Sequence, residues 1–523
     1  MHTLDYIIVL IYLAGVVTGG IFSARSARGD ADEYFTAKGT LKGPLGTIMI
    51  GLSIAATLFS GISLVVYVSA AYTDGIKILL GLVSLLAAWL VLHWWFLPRY
   101  LAGEWRHPYE IIERRFGYRL RMFMSAQFLL LRLAWMGVLI YAPTLIILGS
   151  AGLDDRWFWP VVATLGATST LYTVIGGIRG VIVMDAVQFL VTAGCMLLIM
   201  IFVMAKLGMT WGVMVGEWHA QGRLSLFNAS DSPTHTLTFG SVLIGMMVTS
   251  FGSYLADQMS LQRYLASDTR KNAGRSFIVN IVGAFGIIII LVLVGLMLWL
   301  WYRHNPDPNL PLNADQILPY FIAKNLPAGF SGLLIAAIVS ATIDSITSGV
   351  NAVSAALTND WLVPLGRSRS SDELVRFGRL TNLGIGVLAT LSAGLAAMFG
   401  PALDSSQILM GSFLGSMLAC MLLAVSTFRV RPGAVMIGMA SGLIGGWLVA
   451  GSSVSVMWTA PAALACALGL PLLDLLCFGP LVPAPSASPC RMTTPEAEPS
   501  TSRTASAWSL PSPLVPGTAP SRL

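Results

Sequence analysis

Thirteen apolar segments, each long enough to cross a bilayer, follow one another along this chain. They lie near 4–23, 45–69, 76–98, 122–149, 157–177, 181–205, 238–262, 277–301, 330–357, 380–399, 405–427, 433–451 and 455–478. A segment surrounded by hydrocarbon has no water to satisfy its N–H and C=O groups, so segments of this length must close their hydrogen bonds internally, as helices. Of the 523 residues, 55% are hydrophobic and 11% charged, whereas a soluble domain carries roughly a quarter charged residues. Composition and segment length together exclude a soluble globular enzyme. They define an all-α polytopic membrane protein of about thirteen transmembrane helices.

The formal charge of +6 raises the question of nucleic acid, and the distribution of the basic residues answers it. Most Lys and Arg fall in the loops between spans 1–2, 3–4, 5–6, 7–8, 9–10 and 11–12. That bias puts the N-terminus outside, the C-terminus in the cytoplasm and the chain in a bacterial inner membrane or a plasma membrane. The surplus is a topology signal, and no nucleic-acid partner follows from it. The opening MHTLDYIIVLIYLAG lacks a basic n-region and a clear cleavage site, so it reads as a retained first span. Cys195, Cys420, Cys466, Cys477 and Cys490 are scattered, without CxxC spacing, so neither a metal site nor a disulfide framework is expected. From Leu481 the composition turns to Pro, Ser, Ala and Thr. The expected organisation is a membrane domain over 1–480 and a disordered cytoplasmic tail over 481–523.

Two spans are interrupted in a way that a simple anchor does not need. Span 2 crowds Ser53, Thr57, Ser60, Gly61 and Ser63 at its centre, and span 7 sets Thr249, Ser250, Gly252 and Ser253 before Asp257. Glycine and hydroxyl residues let a membrane helix unwind while side chains and water satisfy the freed carbonyls. They also let helices pack closely without any unwinding. These two spans open two groups of five, 2–6 over about 45–205 and 7–11 over about 238–427, the arrangement of an inverted-repeat transporter with discontinuous first helices.

The polar residues inside spans carry the chemistry. Span 9, GLLIAAIVSATIDSITSGVNAVSAALTND, holds Asp344 near its middle, where a carboxylate costs ~2.5–3.5 kcal/mol on insertion scales. Ala341, Asp344, Ser345 and Ser348 fall on one helical face, a stripe of oxygens suited to a hard cation or, more plainly, to helix–helix adhesion. Asp185 in span 6 follows Gly176-Gly177, read as a tight turn, and Gln188 lies one turn further on. The two aspartates either share one ion or one of them keeps its proton. Arg132 in span 4, with Trp135 on the same face, is placed to hold a solute carboxylate, to neutralise Asp344 or Asp185, or to snorkel to the interface. Asp257, Gln258, Gln262 and Arg263 read as a gate or hinge at the end of span 7.

Over roughly residues 1–450 the chain resembles the sodium/solute symporter family. The matching pieces are DEYFTAKG after span 1, YTVIGGIRGVIVMDAVQ entering span 6, ADQMSLQRYLAS ending span 7 and DSITSGVNAVSAALTND in span 9. The resemblance implies a leucine-transporter-like fold of five plus five inverted spans, with one leading and two trailing helices. It implies Na+ as coupling ion and uptake of a small organic solute. By position it implies a sodium site at the carbonyls of Ala55, Leu58 and Ala341 with Asp344 and Ser345, where the family pattern has serine at the place of Asp344. A second cation site resembles Asp185, Thr347 and Ser348, bridged by Asp344. The implied solute cavity includes Ser60, Ser63, Arg132, Trp135, Ser250, Ser253 and Gln407. YAPTLIILGSAGLD and SGVNAVSAALT look closest to the branch that carries monocarboxylates, iodide and vitamins. In relatives that take up acidic sugars an arginine resembles the position of Trp135, one turn from Arg132.

The expected function is therefore sodium-coupled symport by alternating access, with a monocarboxylate among the candidate solutes and no enzymatic activity. No G-x-x-x-x-G-K-[ST] motif is present, which argues against an ATP-driven pump. The rivals are a proton-coupled symporter on the same scaffold, with Asp344 or Asp185 as carrier, and a sensor that binds solute without moving it.

Overall fold

The computed structural model describes residues 2–24, 41–103, 105, 107–226, 237–267, 269–362, 371–399 and 402–478. The DEYFTAKG stretch and the tail beyond Leu481 lie outside the described residues. The elements that position the site are α1 (Thr3–Ala24), α2 (Gly43–Leu58), α3 (Gly61–Asp74), α4 (Gly81–Val91), α5 (Glu110–Phe116), α6 (Tyr118–Ala151), α7 (Phe158–Leu207) and α8 (Trp211–Ala220). After these come α9 (Met246–Leu255), α10 (Gln258–Leu265), α11 (Arg270–His304), α12 (Ile317–Asn325), α13 (Phe330–Ala356), α14 (Ser371–Ser392), α15 (Ala402–Ser406), α16 (Ser412–Val425), α17 (Pro432–Ala450) and α18 (Thr459–Phe478).

Among the described residues nine helices are long and apolar enough to cross a membrane, beside shorter apolar helices at Thr3–Val16, Gly43–Leu58 and Ser241–Leu255, and the exact count of thirteen is not confirmed. Two physical reasons account for much of the difference. The expected spans 2 and 7 are each cut in two, at Phe59–Ser60 between α2 and α3 and at Ala256–Asp257 between α9 and α10. The expected turn at Gly176–Gly177 is not a break, because α7 runs helical through 50 residues. At 1.5 Å per residue that is ~75 Å, more than twice the ~30 Å hydrocarbon thickness. Spans 5 and 6 are thus joined without the expected break, the helix continuing through Gly176–Gly177. Glycine is only modestly unfavourable inside a helix, and a Gly pair without a proline does not have to interrupt one.

α13 is the axis of the molecule. All of its residues except Phe330 and Leu333 are buried, so its polar stripe of Asp344, Ser345 and Ser348 is enclosed within the protein rather than turned to water. It packs against α1, α6, α7 and α14 and touches both α2 and α3. Its two ends are tied. Asp5 Oδ1 accepts the N–H groups of Gly329 (2.8 Å) and Gly332 (2.9 Å), supplying a carboxylate to orphan donors at a helix N-terminus. Gly332 allows this approach, since a Cβ there would lie 2.5 Å from Asp5 Cα. At the far end Arg121 Nε donates to Asp360 Oδ1 (2.9 Å) and Ser125 Oγ donates to Asp360 Oδ2 (2.8 Å).

The first break sits directly on this axis. A Cβ on Gly61, the first residue of α3, would lie 2.3 Å from Thr342 Oγ1 and 3.1 Å from Ile338 O. Only glycine lets the restarted helix come this close to the backbone of α13. The second break is shaped by Asp257, whose Oδ1 accepts Met259 N–H (2.9 Å) and so caps α10.

Candidate solute and cation sites

At the first break the last turn of α2 presents its carbonyls. Ala55 O accepts Phe59 N–H at 3.0 Å, and Leu58 closes the helix, where the final carbonyls have no intrahelical donor. On α13, which touches α2, Ala341, Asp344 and Ser345 are all buried. Ser345 Oγ donates to Ala341 O (3.2 Å), which leaves the hydroxyl oxygen free to accept. A void of about 10 Å³ is bordered by Ala56 and Phe59 at the break, by Ala341 and Asp344 of α13, and by Leu64, Phe189, Thr192 and Ile287 of neighbouring helices. That is about the space of one water-sized sphere. The side of Asp344 facing α7 meets Gln188, whose amide donates to both carboxylate oxygens when its NH₂ is turned toward them, at 2.8 Å for Oδ2.

One turn further along α13 the expected second cation residues Asp185 and Ser348 come together, with Arg263 between them. Arg263 Nη2 lies 3.0 Å from Asp185 Oδ2 and 2.7 Å from Ser348 Oγ, and its Nε donates to Ser53 Oγ at 2.9 Å. Ser53 Oγ in turn donates to Asp185 Oδ2 (2.7 Å), while Asp185 Oδ1 has no hydrogen-bond partner among the described residues. Thr347 is turned into its own helix, donating to Asp344 O at 3.0 Å. Arg263 therefore belongs to the centre, although its sequence position reads as a gate. The signal that finds it is its place on α10: a buried arginine on a short helix that resumes after a break must seek a carboxylate within the bundle.

All seven residues expected at the solute site line one cavity of about 170 Å³. Ser60 and Ser63 come from the start of α3, Arg132 and Trp135 from α6, Ser250 and Ser253 from α9, and Gln407 from the π-helical turn Gln407–Gly411. That turn widens the helix, and Thr459 Oγ1 covers the displaced Gln407 carbonyl at 2.8 Å. Thr249 Oγ1 reaches Gln407 Oε1 at 3.4 Å, and Ser250 shares a hydrogen bond with Ser84 at 3.0 Å. Arg132 reaches neither Asp344 nor Asp185. It pairs instead with Asp257, a cavity residue that the sequence reading set apart, and its guanidinium lies 5.7 Å from the Phe128 ring centroid.

A buried polar cavity at two helix breaks, beside a pocket of carbonyls, hydroxyls and carboxylate, is the architecture of a secondary transporter. The sequence model of the sodium:solute symporter family matches residues 34–442, and the chain belongs to that family. It is 26% identical over 451 residues to the sodium/sialic acid symporter NanT of Aliivibrio fischeri, covering 84% of this chain and 86% of that one. It is 26% identical over 460 residues to sodium-coupled monocarboxylate transporter 1 of Xenopus laevis, covering 86% and 72%. Its structure is similar to the substrate-bound outward-open state of a Na+-coupled sialic acid symporter, with a TM-score of 0.81 and 25% identity over 92% of this chain and 99% of that one. The protein is an integral membrane transporter that couples solute movement to Na+, and not an enzyme.

Proposed function

We propose that this chain imports a small organic solute together with sodium by alternating access, on a leucine-transporter-like scaffold of two inverted five-helix repeats. The observation that carries the reading is the convergence of Ser60, Ser63, Arg132, Trp135, Ser250, Ser253 and Gln407 on one cavity between the two helix breaks. Sodium binds at the carbonyls of Ala55, Leu58 and Ala341 with Asp344 and Ser345. It draws α2 onto α13 and so favours the conformation that admits solute. The coupling is the difference in sodium affinity between two conformations, commonly about 1–3 kcal/mol. Asp185, Thr347 and Ser348 form a second cation site whose charge balance is shared with Arg263. The N-terminus faces outward and the C-terminus the cytoplasm of an inner or plasma membrane. A carboxylate on the solute suits Arg132.

The test is uptake of radiolabelled short-chain and hydroxy carboxylates, amino acids and polyols into proteoliposomes under an imposed sodium or proton gradient. Sodium-driven accumulation of any one of them is the expected result. Accumulation driven by protons alone would make Asp344 the carrier of a proton, a reading favoured by the carboxylate standing where the family pattern has serine. Binding without accumulation under either gradient would make the protein a sensor.

A further inference from the structure

The wall of the solute cavity carries two charged side chains among the described residues, Arg132 and Asp257, and they are paired with each other. Their side chains are 6% and 1% exposed. Asp257 Oδ1 is engaged by Met259 N–H, so Oδ2 is the oxygen left to face Arg132. Arg132 Nε has no hydrogen-bond partner among the described residues. The wall is therefore neutral as a whole but sharply dipolar.

This balance restricts what can enter. A solute that is only an anion takes Arg132 and leaves Asp257 buried without a countercharge. A solute that is only a cation strands Arg132 in the same way. Removing one partner from a buried pair is strongly unfavourable, because the other charge stays desolvated. A solute carrying both charges replaces one internal pair by two pairs with itself, and the buried charge stays balanced. Resting on the reading of this cavity as the solute site, we infer that Asp257 binds substrate together with Arg132 and that the two select a zwitterion. The solute carboxylate lies on the guanidinium and its cationic nitrogen on the Asp257 carboxylate. Tyr67 and Trp135 in the same wall add aromatic surface for the cationic end. The cavity volume of about 170 Å³ is below the ~300–1,000 Å³ of sites for drug-sized ligands, which fits an amino acid or a betaine.

The test compares alanine, lactate and alaninamide, one skeleton with both charges, the anion alone and the cation alone. Glycine betaine is a second zwitterion and erythritol a neutral control. In sodium-energised proteoliposomes a zwitterion accumulates, and removing either charge weakens competition by roughly 100-fold or more. Asp257→Asn shifts preference toward lactate, and Arg132→Gln shifts it toward alaninamide. A folding defect cannot produce two opposite shifts. Sodium-driven accumulation of lactate or erythritol with no zwitterion moving overturns the charge selection and leaves symport standing. If no solute moves and sodium does not raise the melting temperature, the symport reading fails and this inference fails with it.

Discussion

Arg263 Nη2 lies 3.0 Å from Asp185 Oδ2, and both side chains are almost wholly buried, at 2% and 0% exposure. The pair links α10, just after the second helix break, to α7, and through Ser53 and Ser348 it also holds α2 and α13. Four helices thus meet at one guanidinium. Removing one charge leaves the other uncompensated, at a cost of about 3–5 kcal/mol. Arg263→Gln and Asp185→Asn should each lower the melting temperature in detergent and abolish uptake, whereas the double variant should recover part of the lost stability. Strictly additive losses in this double-mutant cycle would show that the two side chains act independently.

Asp344 faces a void of about 10 Å³ on the side of α2 and meets Gln188 on the side of α7. If its carboxylate belongs to the sodium site, Asp344→Ser removes a charged ligand and leaves only carbonyls and hydroxyls. The half-saturating sodium concentration for uptake should rise about tenfold, equivalent to ~1.4 kcal/mol. Unchanged sodium dependence in Asp344→Ser would remove Asp344 from the cation site.

Much of the site was legible in the chain because membrane burial makes polar residues conspicuous. Asp185, Asp344 and Arg132 stand out against apolar neighbours, and the Gly–Ser cluster at 60–63 marks the first helix break, whereas the cluster at 249–253 lies within α9, ahead of the second break at Ala256–Asp257. The ion pairing was not legible. Arg132 pairs with Asp257, 125 positions along by residue number, and Arg263 with Asp185. A sequence gives the depth of a charge in its own span but not which span lies beside it. The continuous helix across Gly176–Gly177 was missed for a related reason: a glycine pair permits a turn without requiring one.

Asp5 holds two N–H groups at the start of α13, 2.8 and 2.9 Å away. Hydrogen bonds to a charged group contribute ~1.5–3 kcal/mol. Asp5→Ala should destabilise the protein by about that much, and Asp5→Asn, which keeps an acceptor oxygen, by less. Thermal unfolding followed by tryptophan fluorescence checks the order. Sodium affinity should change little in both variants, because the cation residues lie about two and a half turns or more along α13 from Gly332. A large loss of sodium affinity in Asp5→Asn would show that the end of α13 and its middle are coupled more tightly than this packing implies.

The approach of Gly61 to Thr342 offers the sharpest steric test of the broken helix. A Cβ at position 61 would meet Thr342 Oγ1 at 2.3 Å, with Ile338 O behind it at 3.1 Å. Thr342 Oγ1 is already committed to Ile338 O at 3.0 Å, so it cannot rotate away without losing a buried hydrogen bond. Gly61→Ala must therefore push the start of α3 off α13, beside the break at which the Ala55–Leu58 turn of α2 ends. Overpacking of this kind costs about 1–3 kcal/mol. Sodium-driven uptake should fall more than stability does, since the displaced residues flank the proposed cation site. Adding Thr342→Ala removes the nearest atom and should restore part of the uptake, leaving only the milder contact with the carbonyl. If the double variant is no better than Gly61→Ala in uptake and in sodium affinity, the break does not depend on this contact.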